Sequence, residues 1–166
     1  MDYRIEEGDL LDQPTEAIVN AWNRNVIPWW LLLPSGVSGA IKRRAGLGPF
    51  RELGRLGPIP PGGAVATSAG RLPYKAIIHV AGIDLLWRAS AATIAGSVRS
   101  AVAVAGRLGV RSVAFPLIGA GTGGVAPGES ERIMTATFAA IDSPIAATLV
   151  RFRAPSARDS RWVARP

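Results

Sequence analysis

The chain has 166 residues, of which 48% are hydrophobic and 19% are charged, which is the composition of one ordinary globular domain. No apolar run approaches the roughly 20 residues of a membrane-spanning helix, and the absence of cysteine excludes disulfides, thiolate metal sites and cysteine nucleophiles. The first residues lack the pattern of a secretory signal, so we expect a cytoplasmic protein, and we expect neither a metal nor a cofactor.

The net charge of +7 is concentrated at one end of the chain. Residues 151–166 carry five arginines against Asp159, a net charge of +4, which leaves +3 for the rest. We expect a single domain over residues 1–154, followed by a basic tail over residues 155–166. The tail is open to two interpretations, a solvated segment or a nucleic-acid contact, and a weak attraction to polyanions follows from either.

Strands and helices alternate along the chain. In chain order, apolar spacing and turn signals predict strands near residues 3–6 and 17–20, helices over 36–45 and 50–56, strands over 64–67 and 76–80, a helix from Ser90 to just before Gly109, a strand over 113–117, a helix from Pro127 and a strand over 146–152. This alternation implies a partly parallel sheet with helices on both faces. The predicted fold class is therefore a three-layer α/β/α domain with a mixed sheet of about six strands.

A glycine-rich loop connects the fifth predicted strand to the last predicted helix. Residues 119–124 read Gly-Ala-Gly-Thr-Gly-Gly, and such a backbone turns freely and directs successive N–H groups into a concavity that suits anionic oxygens. The helix start near Pro127 adds partial positive charge. The segment predicts a phosphate or diphosphate site, and a plain flexible turn is the alternative.

The same loop also matches the dinucleotide-binding pattern G-x-G-x-x-G, through Gly119, Gly121 and Gly124. That pattern normally opens a nucleotide-binding domain, and an acidic residue follows about 20 positions later at the end of a strand. Here only one helix and one strand follow, and Asp142 lies before that strand. We therefore do not predict a dinucleotide-binding domain.

Five motifs occur in a fixed order along the chain. They are Gly8-Asp9-Leu10, residues 17–23 (AIVNAWN), residues 36–41 (GVSGAI), residues 72–79 (LPYKAIIH), and residues 112–116 (SVAFP) with the glycine loop behind them. Each is weak alone, but in this order they resemble the macrodomain family over residues 1–153. The resemblance implies a module that binds ADP-ribose or a derivative of its terminal ribose: the 1''-phosphate, the O-acetyl ester, or ADP-ribose on a protein.

The resemblance assigns the adenine end of the ligand to residues near the two ends of the domain. Asp9, with Leu10 beside it, corresponds to the acidic residue that binds the adenine amino group. Phe152 falls where family members often place an aromatic ring against adenine, and core packing is the alternative for it. His79 lies in an apolar run, which favours a structural histidine over a catalytic one.

The diphosphate and the terminal ribose are assigned to the middle of the chain. By resemblance Asn23 reaches the terminal ribose, whereas Asn20 either contacts the ligand or fixes the loop backbone. Gly36 and Val37 would line the diphosphate from one side. The residues that would close from the other side are Gly119, Ala120, Gly121, Thr122 and Gly123.

Ser38 stands where hydrolytic family members carry an aspartate that positions or activates water. Serine cannot accept a proton as a carboxylate does, and a positioned base contributes about 10²- to 10⁴-fold in rate. Asn23 and Ser38 are therefore the candidate catalytic residues if the chain is a hydrolase that removes the group on the terminal ribose, which is the alternative to a binding module. A third alternative is a nucleic-acid binder that uses Lys42, Arg43, Arg44 and the tail.

The loop from Arg24 to Pro34 is longer and more apolar than the corresponding family segment. Trp29 and Trp30 in this loop have three interpretations: a lid or wall of the pocket, core packing, or a surface for a partner. Trp22 replaces the alanine that is usual between the two asparagines, which predicts crowding near the terminal ribose.

Overall fold

The computed structural model describes residues 1–28, 30–31 and 36–153, so Trp29, residues 32–35 and the basic tail from residue 154 lie outside the described residues. The strands are β1 (Tyr3–Gly8), β2 (Ala17–Trp22), β3 (Ala64–Thr67), β4 (Ala76–Ala81), β5 (Ser112–Pro116) and β6 (Ala146–Phe152), and the helices are α1 (Gly36–Ala45), α2 (Gly48–Arg55), α3 (Ala91–Arg107) and α4 (Pro127–Ala139). The predicted order of strands and helices is therefore confirmed.

The six strands form one mixed sheet in the order β1-β6-β5-β2-β4-β3. All neighbouring pairs are parallel except β3 and β4, which are antiparallel at one edge. The five parallel strands consequently end at the same edge of the sheet, and the segments that follow them meet there. In open sheets of this kind, ligands bind beyond the carboxyl ends of the strands.

Two hydrophobic cores lie on opposite faces of the sheet. Helices α3 and α4 pack on one face, where Val19 and Phe115 belong to the same cluster as Phe138. Helices α1 and α2 pack on the other face, where Ile18 and Ile77 belong to the same cluster as Ile41, Phe50 and Leu53. The fold is the predicted three-layer α/β/α arrangement.

Local signals account for the start of the long helix α3. Ser90 caps it, since its hydroxyl accepts from the Thr93 N–H at 3.2 Å while the Thr93 hydroxyl accepts from the Ser90 N–H at 2.9 Å. The turn after β1 contains a short 3-10 helix, Leu10–Asp12, which begins because the Asp9 carboxylate accepts from the Leu11 N–H at 2.8 Å. Within the described ranges, no helix combines the length and apolar character needed to cross a membrane.

Candidate ligand-binding site

A cavity of about 360 Å³ opens at the carboxyl edge of the parallel strands. Its walls come from residues 21–23 at the end of β2, residues 36–38 at the start of α1, the segment after β4, and the glycine loop after β5. The two glycine-rich stretches, more than 80 positions apart in the sequence, therefore face one cavity. A volume of this size is typical of small-molecule sites.

The start of α1 forms one side of the cavity. Gly36 has a φ of +53°, a conformation that suits glycine, and Val37 and Ser38 follow it along the wall. The N–H groups of the first helical turn have no carbonyl partner within the helix, and the helix dipole places partial positive charge there. This end of the cavity therefore suits an anionic oxygen.

The glycine loop forms the opposite side. Gly119 has a φ of +82°, and a Cβ atom built there would lie 2.7 Å from the Ala89 Cβ, so only glycine fits. The Val125 N–H closes the loop onto the Gly119 carbonyl at 3.1 Å. The N–H groups of residues 121–123 donate to no acceptor in the part of the chain that the structure describes. They remain available to a ligand, as in an anion-binding nest.

Asn23 presents a fixed hydrogen-bond donor at the end of β2. Only 8% of the residue is exposed, and its Oδ1 accepts from the Asn25 N–H at 2.7 Å. Asn25 is held in turn, because its Nδ2 donates to the Leu53 and Gly57 carbonyls at 2.8 and 2.9 Å. Since Oδ1 of Asn23 is occupied, its Nδ2 is the atom left for the cavity, and this nitrogen has no acceptor among the described residues.

Asn20 does not contact the cavity, which corrects the predicted ligand contact. It is fully buried, and its two amide atoms bind the Ser38 hydroxyl at 2.8 Å and His79 Nδ1 at 3.0 Å. Strand alternation explains this position, because Asn20 points to the α1 side of the sheet beside the register partner His79. Its contact with Ser38 holds the start of α1, which favours the structural alternative for Asn20.

His79 also lies away from the cavity. It is completely buried, and its Nε2 lies 2.8 Å from the Thr67 hydroxyl. Burial lowers the pKa of His79 to about 3, so the ring is neutral. The structural role expected for this histidine agrees with its surroundings.

The residues assigned to adenine lie at the same edge of the sheet but outside the cavity. Gly8 at the end of β1 pairs with Phe152 at the end of β6, and Asp9 follows directly. Phe152 is 72% exposed, which excludes the core-packing alternative for it. The second Asp9 oxygen lies 3.5 Å from Nη1 of Arg44.

Leu10 and Ala120 were also predicted to contact the ligand, but neither residue lines the cavity. Leu10 is buried in the core on the α1 side of the sheet, so its side chain is not available to a ligand. Ala120 does not line the cavity, since its N–H turns back toward the Leu117 carbonyl at 3.4 Å. In both cases the local turn points the residue away from the cleft.

Sequence reasoning did not predict the wall contributed by the segment after β4. Gly82, Ile83 and Trp87 line the cavity there. Trp87 is 41% exposed and has a φ of +61°, in a loop that the Asp84 carboxylate holds by accepting two backbone N–H groups. The signal available in the sequence was that β4 is a parallel strand, whose following loop must share the edge with the glycine loop.

The tryptophan-rich loop is only partly described. Trp30 is 67% exposed, so it does not pack in the core, and it does not line the cavity. Trp29 lies outside the described residues. Trp22 is buried against Phe50, with ring centroids 5.5 Å apart, and forms part of the cavity wall.

The cavity wall carries no ionisable side chain among the described residues. A bound anion would therefore be held by backbone N–H groups and the α1 dipole, not by lysine or arginine. Such a site selects shape and hydrogen-bond geometry more than charge.

These features define a class of α/β/α proteins that hold an anionic ligand against backbone N–H groups beyond the strand ends. The family whose model matches the chain is the Macro domain, over residues 19–134, and the chain belongs to this family.

Similar proteins and structures agree with this assignment. A Macro domain-containing protein of Streptomyces griseus is 40% identical over 144 residues, covering 82% of this chain and 78% of the relative. An O-acetyl-ADP-ribose deacetylase of Klebsiella pneumoniae is 37% identical over 141 residues, covering 80% of this chain and 77% of the relative. The structure of the Oceanobacillus iheyensis macrodomain with ADP matches this chain with a TM-score of 0.77 at 27% identity. The match covers 95% of this chain and 85% of the Oceanobacillus chain.

Proposed function

We propose that this chain binds ADP-ribose or a derivative modified at the terminal ribose, with ADP-ribosylated proteins as partners. The observation that carries the proposal is the convergence of the α1 start and the glycine loop on one cavity. Both sides offer backbone N–H groups without partners, which is the arrangement that a diphosphate requires. The relative named O-acetyl-ADP-ribose deacetylase supports this ligand class.

The sheet order gives an extended ligand a direction. β1 lies three strand positions from β2, which is about 14 Å at the usual strand spacing. A diphosphate in the cavity would thus have Asn23 near the terminal ribose at one end and Asp9 with Phe152 near adenine at the other. The Asp9 oxygen beside Arg44 is the acceptor that we assign to the adenine amino group.

Binding is favoured over catalysis because no side chain lining the described cavity can act as a general acid or base. A hydrolase remains the second candidate, since the Asn23 amide is directed at the cavity and could orient a water. We expect such turnover to be at least about 10²-fold slower than in an enzyme with a positioned carboxylate. Release of acetate from O-acetyl-ADP-ribose by wild type and by Asn23→Ala tests this candidate: turnover that survives the substitution contradicts the role of Asn23.

Titration calorimetry with ADP-ribose tests the binding proposal, using two glycine variants. Neither Gly121 nor Gly106 has an atom within 4 Å of a built Cβ, and neither has a positive φ, but only Gly121 lines the cavity. We expect Gly121→Val to weaken binding at least 10-fold by filling the phosphate site, and Gly106→Val on α3 to bind as wild type does. Equal affinities for all three proteins would contradict the assigned site.

A salt titration separates this proposal from the nucleic-acid alternative. Tight, strongly salt-dependent binding of a single-stranded RNA, without measurable heat from ADP-ribose, would favour a nucleic-acid binder.

The absence of cysteine suits a reducing compartment, and we propose the cytoplasm as the place of action.

A further inference from the structure

A chain of buried polar side chains crosses from the sheet to the cavity. The Thr67 hydroxyl on β3 lies 2.8 Å from His79 Nε2. His79 Nδ1 lies 3.0 Å from Asn20 Nδ2, and Asn20 Oδ1 lies 2.8 Å from the Ser38 hydroxyl. Three of the four residues are buried, and only Ser38 reaches the cavity wall.

The hydrogen bonds of this chain have one direction that satisfies every group. The Thr67 hydroxyl donates to the Ser68 carbonyl at 3.1 Å, so it accepts from Nε2–H of His79. The bare Nδ1 of the neutral ring then accepts from Asn20 Nδ2, which leaves Asn20 Oδ1 to accept the Ser38 proton.

The opposite direction is less favourable. It would turn the Thr67 proton away from the Ser68 carbonyl, and among the described residues it would leave the Ser38 proton only the Ala21 carbonyl, at 3.5 Å. A buried polar group without a hydrogen-bond partner is unfavourable. The first direction therefore prevails, and the Ser38 oxygen faces the cavity with a lone pair and not with its proton.

We infer that Asn20 and His79 are positioning residues that hold Ser38 as a hydrogen-bond acceptor, and that Ser38 accepts from a hydroxyl of the terminal ribose. The inference rests on the proposed function and names the part of the ligand that Ser38 selects. Phosphate oxygens only accept hydrogen bonds, so an oriented acceptor contributes nothing to the diphosphate. Ser38 therefore favours ADP-ribose over ADP.

The orientation is measurable without any ligand, because His79 is the only histidine of the chain. In protein labelled with ¹⁵N-histidine, long-range ¹H–¹⁵N spectra at neutral pH show which ring nitrogen carries the proton. We expect a protonated Nε2 and a bare Nδ1. A proton on Nδ1 would reverse the chain and overturn the inference.

The ligand selection is measured by titrating ADP-ribose and ADP against wild type and Ser38→Ala. Loss of one hydrogen bond predicts a fall of about 3- to 10-fold for ADP-ribose and less than twofold for ADP. Equal losses for the two ligands would mean that Ser38 donates to the diphosphate, and no loss for either would mean that it contacts neither. Both results overturn the inference, whereas a wild type that binds neither ligand refutes the proposed function itself.

Two substitutions of His79 test the positioning role. Asparagine offers a carbonyl oxygen near the place of Nδ1 and keeps an acceptor for Asn20, whereas leucine removes it. We expect His79→Leu to lose ADP-ribose affinity as Ser38→Ala does while still binding ADP, and His79→Asn to recover most of it. Retained ADP binding shows that each variant is folded, and equal ADP-ribose affinity in both variants would contradict the role of His79.

Discussion

Individual side chains show how burial decides the role of a residue in this protein. His79 and Asn23 both carry groups that often act on substrates, but His79 is enclosed by β3, β4 and α2, whereas Asn23 leaves one amide nitrogen at the cavity. Burial makes the protonated imidazole unfavourable, and so lowers its pKa to about 3.

The buried histidine predicts a pH dependence of stability. The unfolded chain binds a proton at His79 below pH 6.5 and the folded chain does so only near pH 3, so the free energy of unfolding falls as the pH is lowered through this window. One proton corresponds to about 1.4 kcal/mol per pH unit.

Urea unfolding of wild type and His79→Asn between pH 7 and 5 measures this slope. We expect the slope in wild type and its loss in the variant. An equal slope in both proteins would show that other groups cause it, and would contradict the low pKa of His79.

Helices and strands bring these residues to the site, and the start of α3 lies behind the glycine loop. Ser90 and Thr93 cap this helix reciprocally, and the adjacent Ala89 N–H donates to the Gly123 carbonyl at 3.0 Å. Ser90→Ala removes one capping bond, and we expect a loss of about 1 kcal/mol in the free energy of unfolding. Chemical denaturation measures it; a loss below about 0.3 kcal/mol would mean that the cap is dispensable.

Glu16 joins the amino ends of three strands opposite the site. Its carboxylate accepts from the Arg111 N–H before β5 at 2.7 Å and from Lys75 Nζ before β4 at 2.9 Å. These contacts, led by the Arg111 N–H, lower the pKa of Glu16 from 4.5 to about 2.

Glu16→Gln is therefore expected to destabilise the protein at neutral pH. The stabilisation by Glu16 is complete above pH 4.5 and is lost as the pH falls through about 2, so the difference between the proteins should narrow over that range. Thermal unfolding at pH 7, 4 and 2.5 measures the difference. A difference that stays constant with pH would show that the charge of Glu16 is not its cause.

The molecule as a whole is expected to gain stability from its ligand. A compound that binds only the folded state at 100 times its dissociation constant adds about 2.7 kcal/mol to the free energy of unfolding. Melting temperatures with and without ADP-ribose should therefore differ for wild type and for Gly106→Val, and the difference should be clearly smaller for Gly121→Val, where a 10-fold weaker affinity leaves about 1.4 kcal/mol at the same ligand concentration. A shift in Gly121→Val as large as in wild type would place the ligand outside this cavity.

The sequence was sufficient to predict the six strands and the four α-helices, although not the short 3-10 helix Leu10–Asp12, because apolar spacing, caps and glycine signals are local. The glycine loop at residues 119–124 was also predicted as a phosphate site from its own residues, whereas Gly36 and Val37 were assigned to the same site only through the family resemblance. By contrast, the burial of Asn20 and Leu10 and the wall formed by Gly82 and Trp87 were not predicted. These depend on which face a strand turns to a helix and on which loop lies beside which.

Chain order does not reveal that β2 lies between β5 and β4, yet that order brings residues 36–38, 82–87 and 119–123 around one cavity. Side-chain patterns are set within a few residues, whereas strand order is set by contacts between segments far apart in the chain. The strands, the helices and the glycine loop of this protein are thus determined by local sequence. The neighbours of His79, the orientation of Ser38 and the shape of the cleft arise only when the sheet assembles.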